Sequence, residues 1–115
     1  MLSRERRRYI FIRIDCDRAP NERVFRSALL SSFTRLFGEY GASQANIAFI
    51  EYNEDMKYAI IRCSHRALPM VRASIVAVTR INGEEAAMHV LLVSGTLKSL
   101  RRKMVNILQR GMKGN

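Results

Sequence analysis

The chain has 115 residues, a formal net charge of +10 at pH 7, 48% hydrophobic residues and 26% charged residues. This length allows one domain with its own core and is too short for two, and the composition excludes a disordered or fibrous chain, so residues 1–115 are expected to form a single domain with basic ends at 1–8 and 98–115. No apolar run reaches the ~18 residues of a membrane-spanning helix and the N terminus lacks a signal-peptide cleavage site, which predicts a cytoplasmic protein.

The first third of the sequence predicts a strand and then an amphipathic helix. Apolar residues alternate with other residues from Arg8 to Asp15, which is the period of a β-strand. Beyond Asn21, apolar residues recur every three or four positions, at Phe25, Leu29, Phe33 and Leu36. This spacing predicts a helix that ends near Gly38 or Gly41.

The middle of the sequence predicts a hairpin and a second helix. Residues 46–53 and 57–64 are β-rich runs separated by three residues, the length of a hairpin connection. A helical spacing follows at Leu68, Val71, Ile75 and Val78. Pro69 is tolerated in the first turn of that helix, and Asn82-Gly83 is expected to end it.

The last third predicts a strand over residues 85–93 and a third helix from Thr96 to about Arg110, capped by Ser94 or Thr96. The complete order is β-α-β-β-α-β with an extra C-terminal helix. It matches an α+β, ferredoxin-like (RRM-like) sandwich, in which two helices cover one face of a four-stranded antiparallel sheet.

The two central strands predict the character of each sheet face. The aliphatic sets belong under the two helices, and they are Ile10, Ile12 and Ile14 in the first strand and Ala59, Ile61 and Cys63 in the third. The opposite sets mix aromatic, aliphatic and arginine side chains, namely Tyr9, Phe11, Arg13, Tyr58, Ile60 and Arg62. Such a face either stacks RNA bases or lies under the third helix. We favour the covering helix, because its own apolar side must be buried somewhere.

The positive charge is concentrated at the two ends of the chain. Residues 1–8 carry a net charge of +3 and residues 98–115 carry +6, whereas residues 9–97 sum to +1. Arginine outnumbers lysine sixteen to four, and the guanidinium group suits phosphate recognition. This pattern favours a nucleic-acid partner, although charged ends that are merely solvated remain the alternative.

The sequence offers little for catalysis or metal binding. Acidic residues stand in pairs next to strand ends or turns, at Asp15/Asp17, Glu54/Asp55 and Glu84/Glu85, and Glu51 alone lies within a strand. His65 is interpreted as a phosphate or backbone contact beside a capping Ser64, and His89 as a structural side chain. Cys16 and Cys63 are expected to be reduced, buried apolar residues, and no catalytic or metal site is predicted.

Three segments carry a resemblance to a known family: LFGEYGASQANIAFIEYN (36–53), AIIRCSHRALPMVRASI (59–75) and INGEEAAMHVLLVSGTLKSL (81–100). Together they resemble the archaeal ribonuclease P protein component 2 family, which includes eukaryotic nuclear counterparts, over about residues 6–103. The resemblance implies a non-catalytic subunit of the ribonucleoprotein that removes the 5′ leader from precursor tRNA. It further implies that the RNA carries the catalysis through bound Mg²⁺, that the protein has no cofactor of its own, and that it pairs with ribonuclease P protein component 3 as a heterotetramer of two heterodimers.

Under this interpretation the basic side chains hold the folded RNA by neutralising crowded phosphates. The predicted RNA-binding residues are Arg6, Arg7, Arg8, Arg62, His65, Arg66, Lys98, Arg101, Arg102 and Lys103. Component 3 is expected at the outer edge of the sheet or on the far side of the first helix. A stand-alone single-strand RNA-binding or ribosomal protein and a small metabolic enzyme of the same topology remain the alternatives.

Overall fold

The computed structural model describes residues 6–110. The outer parts of the two predicted basic ends, residues 1–5 and 111–115, lie outside the described residues. The elements are β1 (Arg7–Asp15), α1 (Glu22–Ala45), β2 (Ala48–Asn53), β3 (Tyr58–Ser64), α2 (Leu68–Val76), β4 (Arg80–Ile81), β5 (Glu84–Glu85), β6 (Ala87–Ser94) and α3 (Leu97–Gln109). A short 3₁₀ turn over His65–Ala67 leads into α2.

The architecture is a mixed α+β fold built on one four-stranded antiparallel sheet, as the sequence predicts. The strand order is β2-β3-β1-β6, so β1 and β3 are the central strands. In the register of these two strands Ile10 lies opposite Ile61 and Phe11 opposite Ile60. Within residues 6–110, none of the helices has the length and apolar character needed to cross a bilayer.

One face of the sheet packs under α1 and α2. Ile10, Ile12 and Ile14 of β1 are at most 1% exposed and belong to the larger hydrophobic core, together with Phe25 and Phe33 of α1. The two helices are also joined by a buried hydrogen bond, in which the Ser32 hydroxyl donates to the carbonyl oxygen of Ser74 at 2.8 Å. The predicted placement of the aliphatic sets is therefore confirmed.

The other face of the sheet is covered by α3. Phe11 and Ile60 are fully buried against Leu100 and Met104, and Tyr58 is 6% exposed in the same cluster. The rings of Phe11 and Tyr58 meet edge to face at a centroid distance of 5.3 Å. The favoured interpretation of a covering helix is confirmed, since a fully buried Phe11 has no surface to offer an RNA base.

Helix α1 is longer than the sequence predicts. It passes through Gly38, whose φ of 79° and ψ of 170° make a kink, and it ends at Asn46 in the left-handed conformation. The helix resumes after the kink because Ala42 and Ala45 still pack on the core. Gly38 therefore interrupts the helix at the place where the sequence predicts an end, and a second helical segment follows it, since glycine readily adopts this positive φ.

A small hairpin replaces the predicted end of the second helix. α2 stops at Val76, and β4 and β5 then pair across a turn in which Asn82 and Gly83 both have positive φ. Asn-Gly is the sequence typical of such a tight turn. Val78 and Ile81 stay in the core at 6% and 5% exposure without being helical, which explains why their spacing resembles a longer helix.

The two helix caps predicted at the ends of β3 and β6 have opposite outcomes. Thr96 caps α3 as expected, because its hydroxyl oxygen accepts a hydrogen bond from the Ser99 amide at 3.1 Å. The capping role predicted for Ser64 is wrong, since this side chain makes no cap bond. Ser64 is buried, and its hydroxyl lies 3.5 Å from the carbonyl oxygen of Gln44 instead.

Candidate nucleic-acid interface

The start of β1 and the end of β3 bring two sets of predicted RNA-binding residues together. The antiparallel register places Arg7 opposite Ser64 and Arg8 opposite Cys63. One step further, the His65 amide donates a hydrogen bond to the carbonyl oxygen of Arg6 at 2.8 Å. The N-terminal arginines therefore lie beside the segment that carries Arg62, His65 and Arg66.

The turn between β6 and α3 joins the same end of the sheet. Tyr9 pairs with Ser94, so β6 ends where β1 begins. A Cβ placed on Gly95 would lie 3.6 Å from Nη1 of Arg8, which means that the arginine side chain lies against this turn. Lys98 follows three residues later in the first turn of α3 and is exposed. We call this end of the sheet the basic end. Its predicted RNA-binding residues are Arg6, Arg7, Arg8, Arg62, His65, Arg66 and Lys98.

Arg101 has a partner within the protein. Its Nη1 donates to Oε1 of Glu51 at 2.7 Å, while the Tyr58 hydroxyl donates to Oε2 of the same carboxylate at 2.7 Å. The bond from Tyr58 and the charge of Arg101 lower the pKa of Glu51, against the opposing effect of burial. Burial and the carboxylate raise the pKa of Tyr58. Arg101 thus fastens α3 to the sheet, whereas Arg102 and Lys103 are exposed.

Replacing Glu51 by Gln is expected to lower the free energy of unfolding near pH 7 by about 0.5–1 kcal/mol, because the ion pair is partly exposed. The lowered pKa of Glu51 means that the carboxylate stabilises the fold above its usual value of 4.5, and that this contribution disappears as pH falls below 4.5. Urea unfolding of wild type and variant at pH 7 and pH 3 measures the effect. The exposed Glu54→Gln serves as the control, and a wild-type advantage that persists unchanged at pH 3 would contradict the assignment.

The remaining histidine and cysteines supply no contact for RNA, although Cys63 lies buried opposite Arg8 at the basic end. His89 is half-exposed, and its Nε2 lies 3.8 Å from Oδ2 of Asp15, a contact within the protein that agrees with its interpretation as a structural side chain. Cys63 is buried as predicted, and burial raises the pKa of its thiol to about 11. Cys16 is only partly buried, and both thiols are free.

The acidic pairs gather at the opposite end of the sheet, which sequence analysis did not foresee. β1 ends at Asp15, the turn between β2 and β3 lies beside that end, and β5 leads into β6 there. Six of the ten acidic residues of the chain occupy this acidic end, namely Asp15, Asp17, Glu54, Asp55, Glu84 and Glu85. Among residues 6–110, no cluster of three or more histidine, cysteine or acidic residues is arranged to hold a metal ion.

Two archaeal proteins are similar to this chain over most of its length. The chain is 33% identical over 103 residues to ribonuclease P protein component 2 of Pyrococcus furiosus, covering 90% of this chain and 86% of that protein. It is 32% identical to the protein of the same name from Methanosarcina mazei, covering 89% and 86%.

A solved structure resembles the fold over its whole length. A chain in the cryo-EM structure of yeast ribonuclease MRP superposes with a TM-score of 0.68 at 16% identity, and the match covers all of both chains. The profile of the Rpp14/Pop5 family matches residues 8–105, which include most of the basic end and the first nine of the 13 residues of α3. The chain therefore belongs to the Rpp14/Pop5 family.

Proposed function

We propose that this chain is a non-catalytic protein subunit of ribonuclease P, which binds the catalytic RNA and stabilises its folded state during 5′-leader removal from precursor tRNA. The observation that carries the proposal is the basic end, assembled from three segments that are distant in sequence. Archaeal relatives named ribonuclease P protein component 2 support it.

The proposed action is electrostatic. Folding a large RNA brings phosphates close together, and a protein that places guanidinium groups between them releases condensed counterions. Arg6, Arg7 and Arg8 next to Arg66 and Lys98 supply positive charge from several directions at one place. In this proposal the RNA performs the reaction with its own bound Mg²⁺, and the protein lowers the Mg²⁺ concentration at which the active fold forms.

The charge polarity of the sheet orients the protein on its RNA. Phosphates attract the basic end and repel the acidic end, where Asp15, Asp17, Glu84 and Glu85 line one open pocket. The preferred approach therefore presents the start of β1 and the start of α3 to the RNA. The acidic end is left facing away from the phosphates at that contact.

The fold explains why this contact uses charge and not base stacking. We assign the domain to the ferredoxin-like class, because the four strands of its main sheet and the helices α1 and α2 follow the order β-α-β-β-α-β, with the β4–β5 hairpin and α3 as additions, and the strand order is β2-β3-β1-β6. In this chain α3 covers the face that single-strand RNA binders of similar topology leave open. The buried Phe11 and Tyr58 thus weigh against the alternative of a stand-alone single-strand RNA-binding protein.

The proposal includes ribonuclease P protein component 3 as the protein partner, in a heterotetramer of two heterodimers. Of the two surfaces expected from the sequence, α1 has the larger supply of exposed apolar side chains, most of them near its kink. Leu30, Leu36, Phe37 and Tyr40 are 39%, 45%, 36% and 79% exposed. Burying such a surface favours association through the hydrophobic effect.

RNA selectivity tests the proposal against its alternative. The chain is expected to bind folded ribonuclease P RNA about tenfold or more tightly than a short unstructured RNA of equal charge per nucleotide, because only the folded RNA presents converging phosphates. Competition binding at one fixed salt concentration measures the ratio. Equal or tighter binding to the unstructured RNA would support a stand-alone single-strand binder and contradict the proposal.

A further inference from the structure

A second basic surface lies away from the basic end, along α1. An open groove of about 600 Å³ separates α1 from the β4–β5 hairpin. Three arginines line it, Arg23 and Arg35 from α1 and Arg80 from β4, and Ser27, Ser31 and Thr79 are among the small hydroxyl side chains between them. No carboxylate lines this groove among the described residues.

The three arginines are available for an external ligand. All three are exposed, and within residues 6–110 none forms a salt bridge. Arg80 alone has a hydrogen bond, from Nη1 to the carbonyl oxygen of Gly83 at 3.2 Å. Arg26 of the same helix differs, since it pairs with Glu22 at 2.6 Å.

The shape of the groove favours an extended anion over a single phosphate. Arg23 and Arg35 are 12 residues apart, which corresponds to about 18 Å along a helix axis. The serines between them are short enough to let a ligand backbone approach the helix closely. Glu84 and Glu85 line the neighbouring acidic pocket and not this groove, although Glu85 lies directly opposite Arg80 in the hairpin, so the α1 wall with Arg23 and Arg35 is the most positive part of the groove.

We propose that this groove is a second RNA site, in which Arg23, Arg35 and Arg80 contact the phosphates of one RNA strand. The groove lies on the side of the sheet that α1 and α2 cover, whereas the basic end lies at the start of β1 and the start of α3, and α3 covers the opposite side. The two basic surfaces therefore engage different RNA segments, and the protein joins them. The sequence does not predict this site, because the net charge of residues 9–97 is only +1. In the fold, however, three of their arginines line one groove and their acidic residues lie elsewhere.

This inference rests on the proposed function, and a charge-matched pair of variants tests it. The groove variant carries Arg23→Gln, Arg35→Gln and Arg80→Gln, and the control removes three other exposed arginines through Arg18→Gln, Arg26→Gln and Arg72→Gln. Binding to ribonuclease P RNA is measured against salt concentration, with thermal unfolding as the check on folding. The groove variant is expected to lose about two to three units of log–log salt slope and about tenfold or more in affinity at moderate salt, and the control less than about one unit.

The outcomes separate this site from the proposed function. Equal losses of salt slope and affinity in both variants would mean that only net charge matters, and they would overturn the inference. RNA binding by the groove variant that equals that of wild type would overturn it as well. Retained RNA binding with lost binding of component 3 would identify the groove as a protein site and also overturn it. If wild type binds no RNA at all, the proposed function fails first.

Directed cleavage shows whether the two surfaces touch different RNA segments. Iron-EDTA is attached to Ser31→Cys in the groove or to Val105→Cys, which lies on α3 about 10 Å along the helix from Lys98 of the basic end. Each variant is made in a Cys16→Ser background, and buried Cys63 stays unlabelled. The two probes are expected to cut separate segments of the RNA. Cleavage from Val105→Cys without cleavage from Ser31→Cys would overturn the second site and leave the proposed function intact.

Discussion

Replacing Leu100 by Ala is expected to lower the free energy of unfolding by about 2–5 kcal/mol, the largest stability change predicted for a single position in α3. Leu100 is fully buried, and its side chain packs with Phe11, Ile60 and Met104 between α3 and the sheet. Truncation removes this buried apolar surface and leaves a cavity that the rigid sheet cannot close. Chemical denaturation at pH 7 measures the loss.

The matched control is Val105→Ala on the same helix. Val105 is 48% exposed, so its truncation is expected to change the free energy of unfolding by no more than about 0.5 kcal/mol. A similarly small effect of Leu100→Ala would mean that α3 does not pack on the sheet. The face that carries Phe11 and Tyr58 would then be open to RNA bases after all.

The sequence predicts the main architecture because its periodicities are strong and consistent. Alternation in β1 separates the aliphatic Ile10, Ile12 and Ile14 from the aromatic side, and α1 repeats its apolar residues at helical spacing. The position of α3 over the sheet follows from the need to bury its apolar side and not from any sequence periodicity. An apolar helix stripe needs a partner, and the face of Phe11 was the one left without a helix.

Two local features escape this reasoning because tertiary packing decides them. Gly38 interrupts α1 as expected, but the sequence does not predict the second helical segment, whose Ala42 and Ala45 find core contacts beyond the kink. Val78 completes the helical spacing predicted for the second helix, yet it reaches the core from the segment between α2 and β4. Spacing reports which side chains are buried but does not fix the backbone between them.

The candidate site was predicted residue by residue but not as an assembly. The arginine run of residues 6–8 is visible in the sequence, whereas its neighbours His65 and Gly95 depend on the strand register. The gathering of acids at the opposite end and of arginines in the α1 groove arises in the same way. Arg101 is predicted from the sequence as an RNA contact, but its ion pair with Glu51 could not be predicted, because the two residues are 50 positions apart.

The pairing of Arg101 determines how the basic face of α3 should be tested. A variant that removes Arg101 would alter the attachment of α3 as well as any contact with RNA. Lys98→Gln, Arg102→Gln and Lys103→Gln avoid this problem, since all three side chains are exposed. RNA contact by Arg101 stays a prediction. RNA binding by an Arg101 variant has to be compared with that of the Glu51→Gln variant, which loses the same ion pair.

The Mg²⁺ dependence of cleavage is expected to show the largest functional effect. Cleavage of precursor tRNA is measured over a range of Mg²⁺ concentrations with ribonuclease P RNA alone, with the RNA and component 3, and with the RNA, component 3 and this chain. The chain is expected to lower the Mg²⁺ midpoint about twofold or more, because its arginines replace diffuse cations around the phosphates. The Lys98, Arg102 and Lys103 triple variant is expected to return part of that shift.

This titration, run beside a reaction that lacks the RNA, tests the central claim most directly. The account predicts that the chain shifts the Mg²⁺ midpoint of the RNA and cuts no precursor tRNA by itself at any Mg²⁺ concentration. Cleavage without the RNA would contradict the non-catalytic role. A midpoint that is the same with and without the chain would contradict the electrostatic support of the RNA fold.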